Sequence, residues 1–538
     1  MKTKTIFKRK VSFGLLFSAV ILTGIVGCKK GTFDINDVNP NNAAAAPTKY
    51  TLSSALVGTA NLVQGGNADV YENWMGYWTQ SGGFTSSTTY VLYQLTSNNF
   101  TGNFDNAYLN LSNYNLLIKT AGSDPTQAYF KAIANIMEAY VFQRLVDQYN
   151  SVPYSQAFII NSSFSYKYDE PQVIYNSITL KIDSAVALIK TNLANDKSTA
   201  VYPLNYDVVF GKGLKSTDNA AKGAVEMAGW IKFANTLKLK IYMRQTENGT
   251  PPTSATSAFS GYAATDFLPA GLDASVNPGY SNAADNQLNP YYFDVIGNAQ
   301  ASNGTNTTYW RANSYGVNFY KNNNDPRLGY IYVPIKGSGG VATNPANVQG
   351  RAYGSTSGTE SNTVISAILG TGYAPGGTST KGPGQDAILL SAFESLFLQA
   401  EARQRGYVSY STADDLYKAA VTESFNFLGV ANYAAAAATY VGQSNSLTNY
   451  SLSPDKITTL ITQKWAALNS VDPLESYSDW RRLGIPKNLP VSIYPGNTAP
   501  HIPYRLPYPV NETSLNGANV PAGGTGSDIL TSKIFWMK

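Results

Sequence analysis

The sequence predicts a mainly α-helical fold, a helical-repeat scaffold interrupted by one large loop-rich insertion. Two observations carry this. Apolar residues recur at i, i+3, i+4 spacing through successive segments of one to two dozen residues, before position 244 and again after 387. Between them, from about 245 to 384, Gly, Ser, Asn, Thr and Tyr dominate and no long helical period survives. Helical pairs that cannot bury an apolar face alone need stacked neighbours, which is the logic of a repeat scaffold.

Taken in order, a helix is predicted from Tyr50 to about Val63, followed by an aromatic stretch holding Tyr71, Trp74, Tyr77, Trp78, Phe84, Tyr90 and Tyr93. Phe104–Thr120 and Gln127–Tyr149 follow; Asn150 tolerates a left-handed stop and Pro153 forbids continuation. Val173–Leu193 and Ala224–Arg244 complete the first block. Within the insertion only short pieces such as YIYVPI at 330–335 read as strand.

The stretch 387–429 reads as a helical hairpin. In its first helix Leu389, Phe393, Leu396, Phe397 and Ala400 share a face, while Glu394, Gln399, Glu401 and Gln404 are assigned to a solvated one. Gly406 stops that helix. Ser411 or Thr412 caps the next, with Asp414 and Asp415 in its first turn and Tyr417, Ala420, Val421, Ser424 and Leu428 inward. Helices over Pro454–Asn469 and Asp472–Gly484 follow, then a proline-rich C-terminal segment.

Composition excludes several chemistries. The single Cys28 allows no intrachain disulfide or Cys-based zinc site, and the single His501, set among prolines and read as an exposed loop residue, allows no multi-His metal site. No GxSxG, HExxH or phosphate-loop motif is present, and Gly382–Ala387 reads as a loop before a helix, not a phosphate cradle. No catalytic residue, metal or cofactor is assigned.

Lys2, Lys4, Lys8, Arg9 and Lys10 precede an apolar run ending at Ile25-Val26-Gly27-Cys28. A basic region, an apolar region too short to span a bilayer, and a small residue before the cut describe a secretory signal over 1–27. The last four residues resemble a bacterial lipobox, which implies lipidation of Cys28 and an extended tether over 28–48. Removing five of 39 basic residues leaves 34 against 34 acidic ones, so the mature chain has no bulk charge favouring nucleic acid.

Several segments coincide with one family. DINDVNPNN at 34–42, DQYNSVPYSQA at 147–157, WIKFANTLKLKIYMR at 230–244 and DPRL at 325–328 lie in its order. So do LQAEARQRG at 398–406, ITQKWAALN at 461–469, DWRRLGIP at 479–486 and PYRLPYPVNE at 503–512. The chain resembles the SusD/RagB nutrient-binding outer-membrane lipoproteins, in the SusD-like 2 branch. It departs from the usual pattern at Asn150, Gln156 and Leu483. The resemblance implies a SusD-like fold of about four TPR-like helix pairs forming a single domain over 49–538. The scaffold would occupy 49–244 and 387–484, a ligand-binding insertion 245–386 and a loop-rich segment 485–538. It further implies a surface lipoprotein that delivers an oligosaccharide, or in some members a peptide, to a SusC-type TonB-dependent outer-membrane barrel without cutting it.

The residues assigned to ligand are aromatic: Trp74, Tyr77 and Trp78 after the first predicted helix, and Tyr291, Tyr292, Tyr309 and Trp310 in the insertion. Flat π faces suit the C–H faces of pyranose rings. The competing reading for Trp74 and Trp78, four residues apart, is a helical stripe packed into the core. Arg481 and Arg482 with Asp479 are read as structural ion pairs near a helix end. A lipid-anchored glycan-degrading enzyme using two carboxylates is the alternative function.

Overall fold

The interior is organised by one helix that has almost no solvated face. In the computed structural model, which describes residues 47–66, 68–159, 165–296, 308–336, 344–356, 364–373, 382–524 and 526–538, helix α3 (Ala128–Tyr149) is buried on nearly every side. Its apolar residues are not confined to a stripe, as expected of a helix walled in by others. The signal segment, Cys28 and nearly all of the tether lie outside the described residues.

Around α3 the chain winds in sequence order. Helix α1 (Thr48–Gln64) packs on α2 (Gly102–Ala121), α2 on α3, α3 on α4 (Pro171–Leu193), and α4 on α5 (Asn219–Arg244). After the insertion, α6 (Ala392–Gln404) packs on α5, on α7 (Ala413–Phe427) and on α8 (Lys456–Leu468), and α8 leads into α9 (Pro473–Leu483). Taken pairwise, α1–α2, α3–α4, α5–α6 and α7–α8 make the TPR-like succession.

The helix ends follow local chemistry. Asp218, Ser391, Thr412 and Asp455 each accept a hydrogen bond from a first-turn backbone N–H, satisfying donors that have no partner inside the helix. Thr412, not Ser411, is thus the cap of α7. Asn150 takes φ +71° at the end of α3, and its side-chain oxygen accepts from the Phe535 N–H at 2.7 Å. Gly484 ends α9 at φ +66°.

The hairpin at 387–429 differs from expectation at its start. Ala387–Leu390 is a strand, β4, which pairs antiparallel with β2 (Ala274–Val276), so Leu389 belongs to a sheet and α6 begins only after Ser391. The residues before it, 382–386, therefore lead into a strand. YIYVPI behaves in the opposite way. Leu328–Ile331 is a helical turn, leaving only Tyr332 in an isolated bridge to Ile368. Short apolar runs carry too little periodicity to separate strand from helix.

The polar face assigned to α6 is also reversed. Glu394, Gln399 and Glu401 are each 1% exposed: the two carboxylates meet buried cations, and Gln399 bonds to Ser395 and Tyr410, while Gln404 stays exposed as expected. Lys240 Nζ stands 2.8 Å from Glu394 Oε1, off the hydrogen-bonding direction, so the contact is ionic. Arg482 clasps Glu401 with both terminal nitrogens at 2.6 and 2.8 Å and reaches Asp479 at 2.8 Å. Arg244 joins Asp147, Glu475 and Asp479, and Arg144 joins Asp472. One charge lattice thus links α3, α5, α6, α8 and α9. Burial alone would raise Asp479, but Lys464, Arg482 and Arg244 overcome it and hold its carboxyl at about 2.

The insertion is fastened twice. Besides β2–β4, strand β1 (Trp78–Gln80) pairs antiparallel with β3 (Trp310–Ala312), with Gln80 opposite Trp310. Arg327 buries its guanidinium against Asp325 at 2.6 Å and over the ring of Phe425, fixing the insertion to α7. At the other end of the chain, the Tyr508 hydroxyl donates to the Tyr149 and Ser151 carbonyls, and the Arg505 guanidinium also reaches the Tyr149 carbonyl. His501 is half-buried, stacked on Tyr504 at 4.2 Å, and not the freely exposed loop residue expected.

Candidate functional site

The β1–β3 pairing brings together the two aromatic groups that the sequence left apart. Gly76 makes this possible. It turns the chain at φ +71° between the short helix Asp69–Trp74 and β1, where an added Cβ would lie 2.8 Å from the Tyr315 ring. The turn sets Trp78 beside Trp310 and Tyr291, with ring centroids 6.2 and 6.5 Å apart. Tyr90 adds an edge-on contact to Trp310 at 5.6 Å.

These rings are layered by depth. Trp74 and Tyr77 are 0% exposed and Trp78 2%. The Tyr77 hydroxyl donates to the Trp465 carbonyl at 2.6 Å while its ring stacks on that indole at 5.1 Å. Trp74 packs among Tyr71, Tyr93 and Tyr477. Trp74, Tyr77 and Trp78 are thus packed in the interior; Trp78 lies on a strand, so the two tryptophans share burial but not one helical stripe. Tyr291, Tyr292 and Trp310 are also buried, at 7%, 4% and 4% exposed.

Of the assigned residues only Tyr309 keeps a partly open ring. It stands edge-on to Trp310 at 4.6 Å on one side and to Phe84 at 5.0 Å on the other. Phe84, 39% exposed, was not among the assigned site residues. Its signal was local: it follows Ser81-Gly82-Gly83, a loop sequence with no helical partner to bury it. Gln80 holds that loop by accepting from the Ser87 N–H at 2.9 Å and donating to the Thr85 carbonyl at 2.5 Å. The Ser81 N–H donates to the Tyr309 carbonyl at 2.8 Å, so both rings ride on one hydrogen-bonded frame.

Two carboxyls lie behind this surface. The Tyr90 hydroxyl donates to Asp69 Oδ1 at 2.8 Å. Burial and the neighbouring Asp294 charge push the Asp69 carboxyl well up, and burial lifts Asp294 to about 7. Both carboxyls therefore hold a proton more readily than an exposed Asp, which reduces the negative charge at the base of the surface. Such a surface offers apolar ring faces with hydroxyl and amide neighbours. That combination suits an uncharged ligand with C–H faces.

The sequence model of the SusD-like 2 family, described as starch-binding associating with the outer membrane, matches residues 40–509. The chain belongs to this family. Among solved structures, a SusD homologue from Bacteroides fragilis shares the fold of this SusD-like chain with TM-score 0.69 at 19% identity, covering 91% of this chain and 99% of the other. A SusD/RagB family protein from Bacteroides thetaiotaomicron matches with TM-score 0.68 at 20% identity over 92% and 99%. A protein described as chitin-binding matches with TM-score 0.67 at 23% identity over 91% and 100%. No curated protein sequence matches significantly. Nutrient binding in association with the outer membrane is therefore the family-level function of this SusD-like protein.

Proposed function

We propose that the protein is a surface lipoprotein, anchored through Cys28, that captures an oligosaccharide and passes it to a SusC-type TonB-dependent outer-membrane barrel. The observation supporting the sugar is the Phe84–Tyr309 pair, exposed aromatic edges held on a buried aromatic base. Tyr309 makes the contact, Trp310, Trp78, Tyr291 and Tyr292 supply the base, and Trp74 and Tyr77 hold that base to the helices. Binding rests on ring contacts and shared hydrogen bonds, with no turnover. Calorimetric titration of the mature protein against neutral oligosaccharides and peptides tests this. Saturable glycan binding supports it, and peptide binding without glycan binding overturns the sugar assignment in favour of the peptide-carrying members of the family. Co-purification with a barrel partner tests the delivery step.

One observation favours the enzymatic alternative, namely the paired Asp69 and Asp294 with raised carboxyls behind the aromatic surface. Incubation with a bound oligosaccharide decides between them. A binding protein releases no new reducing ends, whereas an enzyme releases them and loses that activity in Asp294→Asn.

A further inference from the structure

A second recess lies between α1 and α2 and shares no lining residue with the aromatic surface. The two helices meet closely at Gly58, where a Cβ would come within 2.5 Å of the Asn110 amide. Asn110 is itself fixed by α1, donating to the Ala55 carbonyl at 3.0 Å and accepting from the Thr59 N–H at 3.2 Å. Outward from that contact the helices present short or amide side chains at helical spacing: Ser54 and Asn61 from α1, and Asn103, Asn106 and Asn113 from α2. The result is a cleft of about 480 Å³, within the size range of small-ligand sites.

Its lining combines amides with the apolar side chains of Val57, Leu62 and Leu109. Among the described residues, neither a charged nor an aromatic side chain lines it. The side chains of Asn61, Asn106 and Asn113 form no hydrogen bond with any described residue, so three donor–acceptor amides are left for something else. Leu109, 67% exposed, gives the rim one apolar surface. An amide presents a donor and an acceptor side by side, which matches neighbouring hydroxyls, whereas an anionic ligand would find no counter-charge among the lining residues.

We propose that the α1–α2 cleft is a second binding site, for a neutral polyhydroxylated chain. It is distinct from the Phe84–Tyr309 surface and does not depend on it. Gly58 lets the two helices close at the base of the cleft, where the Asn110 amide fills the space a side chain would take.

Hydrogen–deuterium exchange on the mature protein, with and without saturating maltohexaose, chitohexaose or xylohexaose, and with polygalacturonate as the charged control, tests the proposal. The expected result is protection of peptides covering 54–66 and 102–113 by at least one neutral oligomer and not by polygalacturonate. Asn106→Leu combined with Asn113→Leu, the first exposed and the second half-buried with no hydrogen bond to a described residue, should shift the melting temperature by no more than a few degrees and weaken that protection by about tenfold in midpoint concentration. Tyr309→Ala should leave it intact. Exchange unchanged in both segments with every neutral oligomer overturns the proposal, as does protection by polygalacturonate equal to that by the neutral oligomers. Protection that persists in the double asparagine variant also overturns it. Loss of glycan protection near residues 84 and 309 with cleft protection retained would count against the aromatic site alone.

Discussion

Arg244 on α5 sets its Nε 3.0 Å from Asp147 Oδ2 near the end of α3, with both side chains fully buried. The same guanidinium pairs with Glu475 on α9, and Asp147 also accepts from the Trp536 indole N–H at 2.9 Å. Residues from DQYN, KLKIYMR, LQAEAR, ITQKW and DWRRLG, separated by up to hundreds of positions, thus converge on one buried lattice. The segments that carry the family resemblance describe how the scaffold is held, and not what it binds.

Removing one member of that lattice leaves its partners charged and uncompensated. Arg244→Ala is expected to destabilise the protein by about 3–5 kcal/mol. Arg244→Met combined with Asp147→Asn and Glu475→Gln should recover part of the loss. Urea unfolding followed by circular dichroism reads both.

A pH effect is expected where Glu226 meets Asp207. Burial first, then the neighbouring Asp207 charge, raises the Glu226 carboxyl to about 10, and its side chain accepts from the Leu204 N–H at 3.0 Å. Its folded value lies above its unfolded one, so its contribution is complete below about pH 4.5 and declines as pH rises toward 10. The decline is at most about 1.4 kcal/mol per pH unit. Glu226→Gln keeps the contact without the proton, so its stability relative to wild type should rise between pH 5 and 9. A flat difference across that range would contradict the assignment.

The lattice acids act in the opposite sense. Glu475 is held well below its ordinary range by Arg244, Lys240 and Lys464 against the effect of burial, and Asp479 is held at about 2. Both contributions are present above the unfolded values near 4 and fade as pH falls through the folded ones. Melting temperature should therefore fall as the solution is acidified from pH 4 toward 2. In Asp479→Asn, already destabilised at pH 7, that fall should be shallower.

Gly76 is expected to be intolerant of a side chain. Gly76→Ala meets both an unfavourable φ and the Tyr315 ring, at a cost of about 1–3 kcal/mol. Because the turn positions β1, glycan affinity should fall along with melting temperature. Gly406→Ala shares the unfavourable φ but has open space around it, and should cost less.

The helices were legible because their apolar period, caps and stop residues are local. Asn150, Gly406 and Gly484 end helices where the sequence places those ends. What was not legible depends on distant partners. Glu394 and Glu401 look solvated until Lys240 and Arg482 are brought to them. Leu389 looks helical until Ala274 and Ser275 pair with Leu390 and Ile388 on either side of it. Trp78 reads as a neighbour of Trp74 and Trp310 as part of a distant insertion, and only the β1–β3 pairing brings the two rings together. Phe84 escaped because exposure within a loop is a property of the folded frame, not of spacing.

The most direct test of the account is a calorimetric titration comparing wild type with the Phe84→Ala, Tyr309→Ala double variant, using the tightest-binding neutral oligosaccharide. Both rings sit at the surface, so the variant should melt within a few degrees of wild type. Affinity should weaken by one to two orders of magnitude, as expected for losing two ring contacts worth about 1–3 kcal/mol together. Unchanged affinity in a normally folded variant would contradict it.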